Sequence, residues 1–124
     1  VWGSGELPPA INAVLDAQGF EPMAAFPRTY GAPAHARRGP LLGKFGGRDV
    51  RVYVRRWQFD KDDVYYSVDL RVGGTEASDG AFWDGWDCMN SLEVMAALEQ
   101  AKVVFETDLE RRRPPWTPSN IRVT

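Results

Sequence analysis

One cysteine and one histidine are present in 124 residues, and no apolar run approaches the length of a membrane span. A single thiol excludes an intramolecular disulfide and fits a reducing compartment, so a cytoplasmic location is expected. A membrane helix needs roughly 18–20 apolar residues in succession, so no membrane association is expected. Residues 1–5 offer neither a basic stretch nor an apolar one, and no secretory signal is expected from them.

Signatures of catalysis are missing as well. The chain has no glycine-rich phosphate loop, no GxSxG elbow and no HExxH helix. His35 stands among Ala34, Ala36, Arg37 and Arg38, with no acidic neighbour to orient it. Nothing beside Cys88 in sequence resembles an activated thiol, and a small half-buried side chain at a helix entry is the plainer reading. Asp60, Asp62 and Asp63 form an acidic cluster. A calcium loop begun at Asp60, however, would place Tyr65 where glycine is needed and Arg71 where a bidentate glutamate is needed. The expectation is a chain without enzyme activity, cofactor or metal.

Aromatic area, by contrast, is plentiful. Five Trp, six Phe and four Tyr accompany an apolar fraction of 44%, which is ample for a folded domain rather than a disordered chain. One domain over residues 1–124 with a single modest core is expected at this length. The net charge of −2 conceals a segregation: residues 28–56 hold eight basic side chains against Asp49 alone, while residues 60–110 hold thirteen acids against Lys61, Arg71 and Lys102. Such asymmetry either steers a charged partner or is neutralised across the fold.

Two runs organise the chain. In residues 49–57, Val50, Val52 and Val54 alternate with Arg51, Tyr53, Arg55 and Trp57. In residues 64–72, Val64, Tyr66, Val68, Leu70 and Val72 alternate with Tyr65, Ser67, Asp69 and Arg71. Alternation of this kind marks strands with one apolar and one polar face, and the polar segment 58–63 predicts a hairpin between them. A third, short strand is expected at residues 81–83. Trp83 and Trp86 then lie among Asp84, Asp87 and Gly85, in an acidic-aromatic segment.

Helices are expected at both ends. Residues 8–18 place Ile11, Val14 and Leu15 on one face, with proline at the start and Gly19 positioned as a C-terminal cap. Asn90 and Glu93 form a capping box for a long helix, with Leu92, Met95, Leu98, Ala101, Phe105 and Leu109 as its apolar stripe, widened by Val94 and Val104. The basic triplet at 111–113 and the prolines at 114 and 115 should close it. Residues 20–26 read as a short edge strand. Residues 27–47 read as a long basic loop rich in glycine and proline, with a short strand at Leu41 and Leu42. Residues 114–124 read as a tail. The fold class expected is α+β: an antiparallel sheet of three or more strands, a long C-terminal helix across its aliphatic face and a short N-terminal helix at one edge.

The second face of the sheet is the candidate site. Arg51, Tyr53, Arg55, Trp57, Tyr65 and Arg71, extended by Arg37 and Arg38 of the basic loop and by Trp83 and Trp86, are the residues expected to bind. Trp, Tyr and Arg are the types enriched at interface hot spots. A non-enzymatic protein-binding module is therefore the leading reading, of inhibitor, immunity or anti-defence, or assembly-accessory type, with another protein or a second copy as partner. A nucleic-acid-binding domain is the alternative, with arginines on phosphates and aromatics stacking on bases. Three strands followed by a helix over residues 48–105 are similar in architecture to the arm-type DNA-binding domains of tyrosine recombinases, a resemblance that implies DNA as the partner of the same face. Two bland readings stand beside these: the face is covered by the N-terminal segment and its aromatics are core, and Trp83 and Trp86 pack beneath the long helix.

Overall fold

The structure is a computed structural model and describes residues 7–22, 35–75 and 80–111. Its elements are helix α1 (Pro9–Ala17), strands β1 (Glu21–Pro22), β2 (His35–Arg38), β3 (Gly43–Phe45), β4 (Arg48–Asp60), β5 (Asp63–Val72) and β6 (Ala81–Cys88), and helix α2 (Ser91–Arg111). The sheet is antiparallel throughout, in the order β1-β2-β4-β5-β6, with β3 pairing the start of β4 beside β2. Both helices lie on one face of it. The fold is α+β, as the alternating runs and the two helical patterns imply.

The central hairpin follows the sequence pattern closely. Val50 pairs with Val72, Val52 with Leu70 and Val54 with Val68, so three aliphatic cross-strand pairs face the helices. All six are buried. Burying each such side chain contributes about 1.5–3 kcal/mol, and the six belong to the larger core that the helices complete. The connection is tighter than the expected loop: the strands run on to Asp60 and Asp63, and only Lys61 and Asp62 turn. The Asp60 carboxylate accepts a hydrogen bond from the Asp62 N–H at 2.9 Å and holds that turn.

Helix α1 begins where Pro8 and Pro9 cannot continue backwards, and buries Ile11 and Leu15. It ends at Gly19, whose φ of 82° lets the Phe20 N–H return to the Leu15 carbonyl at 3.0 Å. Helix α2 opens with the expected box: the Asn90 side chain accepts from the Glu93 N–H at 2.9 Å, and Glu93 accepts from the Met89 N–H at 2.7 Å.

Three expectations need correction. The buried stripe of α2 is Val94, Ala97, Leu98, Ala101 and Phe105, whereas Leu92 and Met95 are 74% and 46% exposed. Successive steps of three residues fall about 60° short of a full turn each, so Leu92 to Ala101 winds half-way round the helix and is not one stripe. Within the segment read as a loop, residues 35–38 form β2 against β4, and the short strand lies at Gly43–Phe45 rather than at Leu41 and Leu42. The third strand runs from Ala81 to Cys88, so the acidic-aromatic segment belongs to the sheet. The expectations for residues 23–34, for the basic triplet beyond residue 111 and for the prolines and tail after it lie outside the described residues. No helix among the described residues is long and apolar enough to cross a membrane.

Candidate binding face of the sheet

The register decides which side chains share a face, because directly paired residues of antiparallel strands point the same way. Arg51 pairs with Arg71, Tyr53 with Asp69, Arg55 with Ser67 and Trp57 with Tyr65, all on the face away from the helices. Asp87 joins them opposite Ser67, Gly85 opposite Asp69 and Phe82 opposite Arg71. Arg38, paired with Tyr53, completes the set from β2.

Asp69 is the hub of this face. Its carboxylate lies 3.9 Å from the Arg55 guanidinium and 3.4 Å from that of Arg71, with Tyr53 directly across the strand pair. Gly85 makes room for it: a β-carbon at that position would come within 2.9 Å of Asp69 Oδ1 and of the Phe82 ring. Arg55 and Asp69 are 3% and 7% exposed, and Tyr53 only 1%. The centre of the face is thus closed to solvent, and its charges are consumed internally. These inner residues are buried without helix α1 lying over them, since α1 packs on the opposite face.

The two ends of the face differ from its centre. At the hairpin end, Trp57 and Tyr65 are half-buried and stacked, with ring centroids 6.4 Å apart and planes 14° from parallel. The Arg55 guanidinium lies 5.5 Å from the Trp57 ring centroid, and Trp57 Nε1 donates to Ser67 Oγ at 2.9 Å. Partial burial holds the Tyr65 hydroxyl above its ordinary pKa, and the charges of Asp87, Asp63 and Asp69 add to the effect. At the opposite end, Arg71 lies 5.4 Å from the centroid of the Phe82 ring, which is half exposed, and donates to the Gly80 carbonyl at 3.1 Å.

The remaining expected site residues divide. Arg51 stays on this face, donating to the Gly39 carbonyl at 3.0 Å and lying 3.8 Å from Asp49. The hydrogen bond from Lys44, aided by the Arg51 charge, holds the Asp49 carboxyl below its usual range. Arg38 pairs with Glu21 at 3.2 Å. Arg37 does not belong to the face. It pairs with Val54, points toward the helices, and donates to Asp16 at 2.6 Å, to Asn12 Oδ1 at 3.0 Å and to the Phe20 carbonyl at 2.7 Å. Its role is to tie α1 to the sheet. Trp83 is core: its ring packs edge-on to Phe45 and Phe105, and its Nε1 donates to Asp108 at 2.8 Å. Trp86, opposite Val68, packs half-buried against the core on the helix side. The shift of register between Leu70 and Arg71 carries Trp83 inward, out of the alternation that sequence reading follows.

Asp69 and Phe82, with Ser67, Gly85 and Asp87, lie on this face although none is among the site residues expected from the sequence. Asp69 carries a signal that would have found it, since it is the one acid in a stripe of arginines and aromatics. Cys88 is buried, and burial, with Glu93 and Asp87 nearby, pushes its thiol up to about 11. Such a thiol remains protonated at neutral pH, unlike an activated nucleophile. Among the described residues no three His, Cys, Asp or Glu side chains are grouped to hold a metal ion. No family model, curated protein or solved structure matches this chain.

Proposed function

We propose that this domain is a non-enzymatic protein-binding module of the inhibitor, immunity or assembly-accessory kind, working in the cytoplasm. Its contact surface is formed by the two ends of the outer sheet face that reach solvent, with the Trp57–Tyr65 stack as its principal part and Phe82 at the far end. One observation carries the choice of partner class. All five arginines expected to engage a ligand already face carboxylates of the same chain: Arg37 faces Asp16, Arg38 faces Glu21, Arg51 faces Asp49, and Arg55 and Arg71 both face Asp69. A phosphate backbone would have to displace those carboxylates, whereas a protein surface can use the aromatic area they frame.

The test is a titration with labelled single- and double-stranded oligonucleotides at two salt concentrations, followed by affinity capture from nuclease-treated lysate. Weak oligonucleotide binding and nuclease-resistant capture of one protein, lost in Trp57→Ala, are expected. Sub-micromolar oligonucleotide binding whose log affinity falls with log salt by about 0.7–0.9 per phosphate contacted would overturn the proposal in favour of nucleic acid.

A further inference from the structure

On the helix side, the end of α1, the β2–β3 connection and α2 leave a cavity of about 270 Å³ open to solvent. Its walls are Phe20, Pro40, Leu42, Val52 and Leu98, with Gln18 and Lys102 as the polar residues of its lining. The cavity lies on the opposite face from the Trp57–Tyr65 stack, so it is a separate site. Val52, Leu98 and Phe20 are themselves buried, which makes the walls rigid core rather than loose surface. Leu41, between Pro40 and Leu42, is 45% exposed, and Met95, one turn before Leu98, is 46% exposed.

We infer that this cavity receives a single apolar side chain of a partner protein that carries a carboxylate beside it, as a C-terminal leucine or phenylalanine does. Size argues for a side chain, because pockets for drug-sized ligands and cofactors run from about 300 to 1,000 Å³. The wall chemistry argues for an apolar one. Charge selects the carboxylate: among the described residues of the lining, Lys102 is the charged one. Its present partner is Glu99 at 3.6 Å, and both side chains are largely in water. An exposed pair of this kind contributes little, so the ammonium is available to a better-placed carboxylate.

The probe is N-acetyl-phenylalanine, which joins one ring to one free carboxylate, titrated into the ¹⁵N-labelled chain. Saturable amide shifts at Leu42, Val52 and Leu98 are expected, with a dissociation constant of about a millimolar for so small a ligand. N-Acetyl-phenylalaninamide should bind about two- to fivefold more weakly, and Lys102→Gln should weaken the acid by the same factor without affecting the amide. Leu42→Trp, at the half-buried rim, should abolish both while its melting curve shows that the fold persists. Octanoate tests a free fatty acid as the source, and tighter binding by it than by the acetylated amino acid would overturn the assignment to a protein partner. Shifts confined to residues outside the cavity, or no saturation at tens of millimolar, would overturn the site. The sheet-face proposal would be untouched by either result, since Trp57→Ala leaves this cavity intact.

Discussion

On the helix side of the central hairpin, Val52, Val54, Val68 and Leu70 are buried in the apolar core. On the other side Tyr53, Arg55, Ser67 and Asp69 are comparably buried, and every one of them carries a polar group. The two faces of one pair of strands therefore reach the same exclusion of solvent by different means. The first needs volume and hydrophobicity, which many combinations of side chains supply. The second needs particular partners at particular distances, because a buried charge without its counter-charge is costly. A substitution that conserves size should be tolerated on the first face and not on the second.

The sharpest way to break that comparison is to change neighbouring residues that point in opposite directions. Leu70→Ala should cost about 2–5 kcal/mol through lost burial and the cavity left behind. Asp69→Ala, although it removes a polar side chain, should cost about 3–5 kcal/mol by removing the buried carboxylate that Arg55 and Arg71 share. Urea denaturation of the two variants measures both. Replacing Arg55, Asp69 and Arg71 together with apolar side chains should recover most of the loss. If Asp69→Ala costs under about 1 kcal/mol, the outer face is hydrated and its order does not rest on the network.

Arg37 and Arg38 repeat the comparison in the backbone of one short strand. Arg37 is 8% exposed and holds Asn12, Asp16 and the Phe20 carbonyl, so Arg37→Met should cost about 1.5–3 kcal/mol and loosen α1. Arg38 makes one exposed pair with Glu21, and Arg38→Met should cost less than about 1 kcal/mol. Amide exchange in residues 9–17 reads the first effect directly. Equal protection there in the two variants would show that α1 docks through Ile11 and Leu15 alone.

How far these relations were legible in the sequence depends on the element. The hairpin was readable because residues 50–55 and 64–72 alternate, broken only at Arg56 beyond them, and alternation fixes faces and register together. The capping box at Asn90 was readable because it is local. Strand β2 was hidden because residues 35–38 offer no apolar alternation, and Arg37 points inward only because Asn12 and Asp16 of α1 wait for it. Strand β6 was only partly visible, since the register shift after Phe82 turns Trp83 into the core and breaks the period of two. The candidate face was recognised from its residue types. Its internal neutralisation stood only as one of two open alternatives, because two arginines sharing Asp69 is a matter of distance, and composition carries no distances.

Cys88 sharpens the comparison by pH. Its buried thiol titrates at about 11, above the ordinary value, so the folded chain keeps this proton after the unfolded chain has released it. Stability from this group is intact below about pH 8.5 and falls as pH rises toward 11. Between pH 8 and pH 10 the loss should be about 1.5 kcal/mol, and Cys88→Ala should remove that part of the alkaline slope. Thiol reagents should label the native chain far more slowly than the unfolded one. A fast native reaction at pH 7 would restore Cys88 as a nucleophile.

The smallest effect is expected on the outer side of α2. Val94 is fully buried, whereas Leu92 and Met95, on either side of it in sequence, are exposed. Val94→Ala should cost about 1–3 kcal/mol by removing buried methyl groups. Leu92→Ser and Met95→Ser should each change stability by no more than about 0.5 kcal/mol, since water already surrounds both side chains. The comparison is demanding because a stripe read at steps of three places Leu92 and Met95 in the core and assigns them losses like that of Val94. Thermal melts at several protein concentrations give the decisive reading. A loss for Leu92→Ser that grows as the chain is concentrated would mean that the wild-type helix buries this side against a second copy, and the exposed side of α2 would then be an interface.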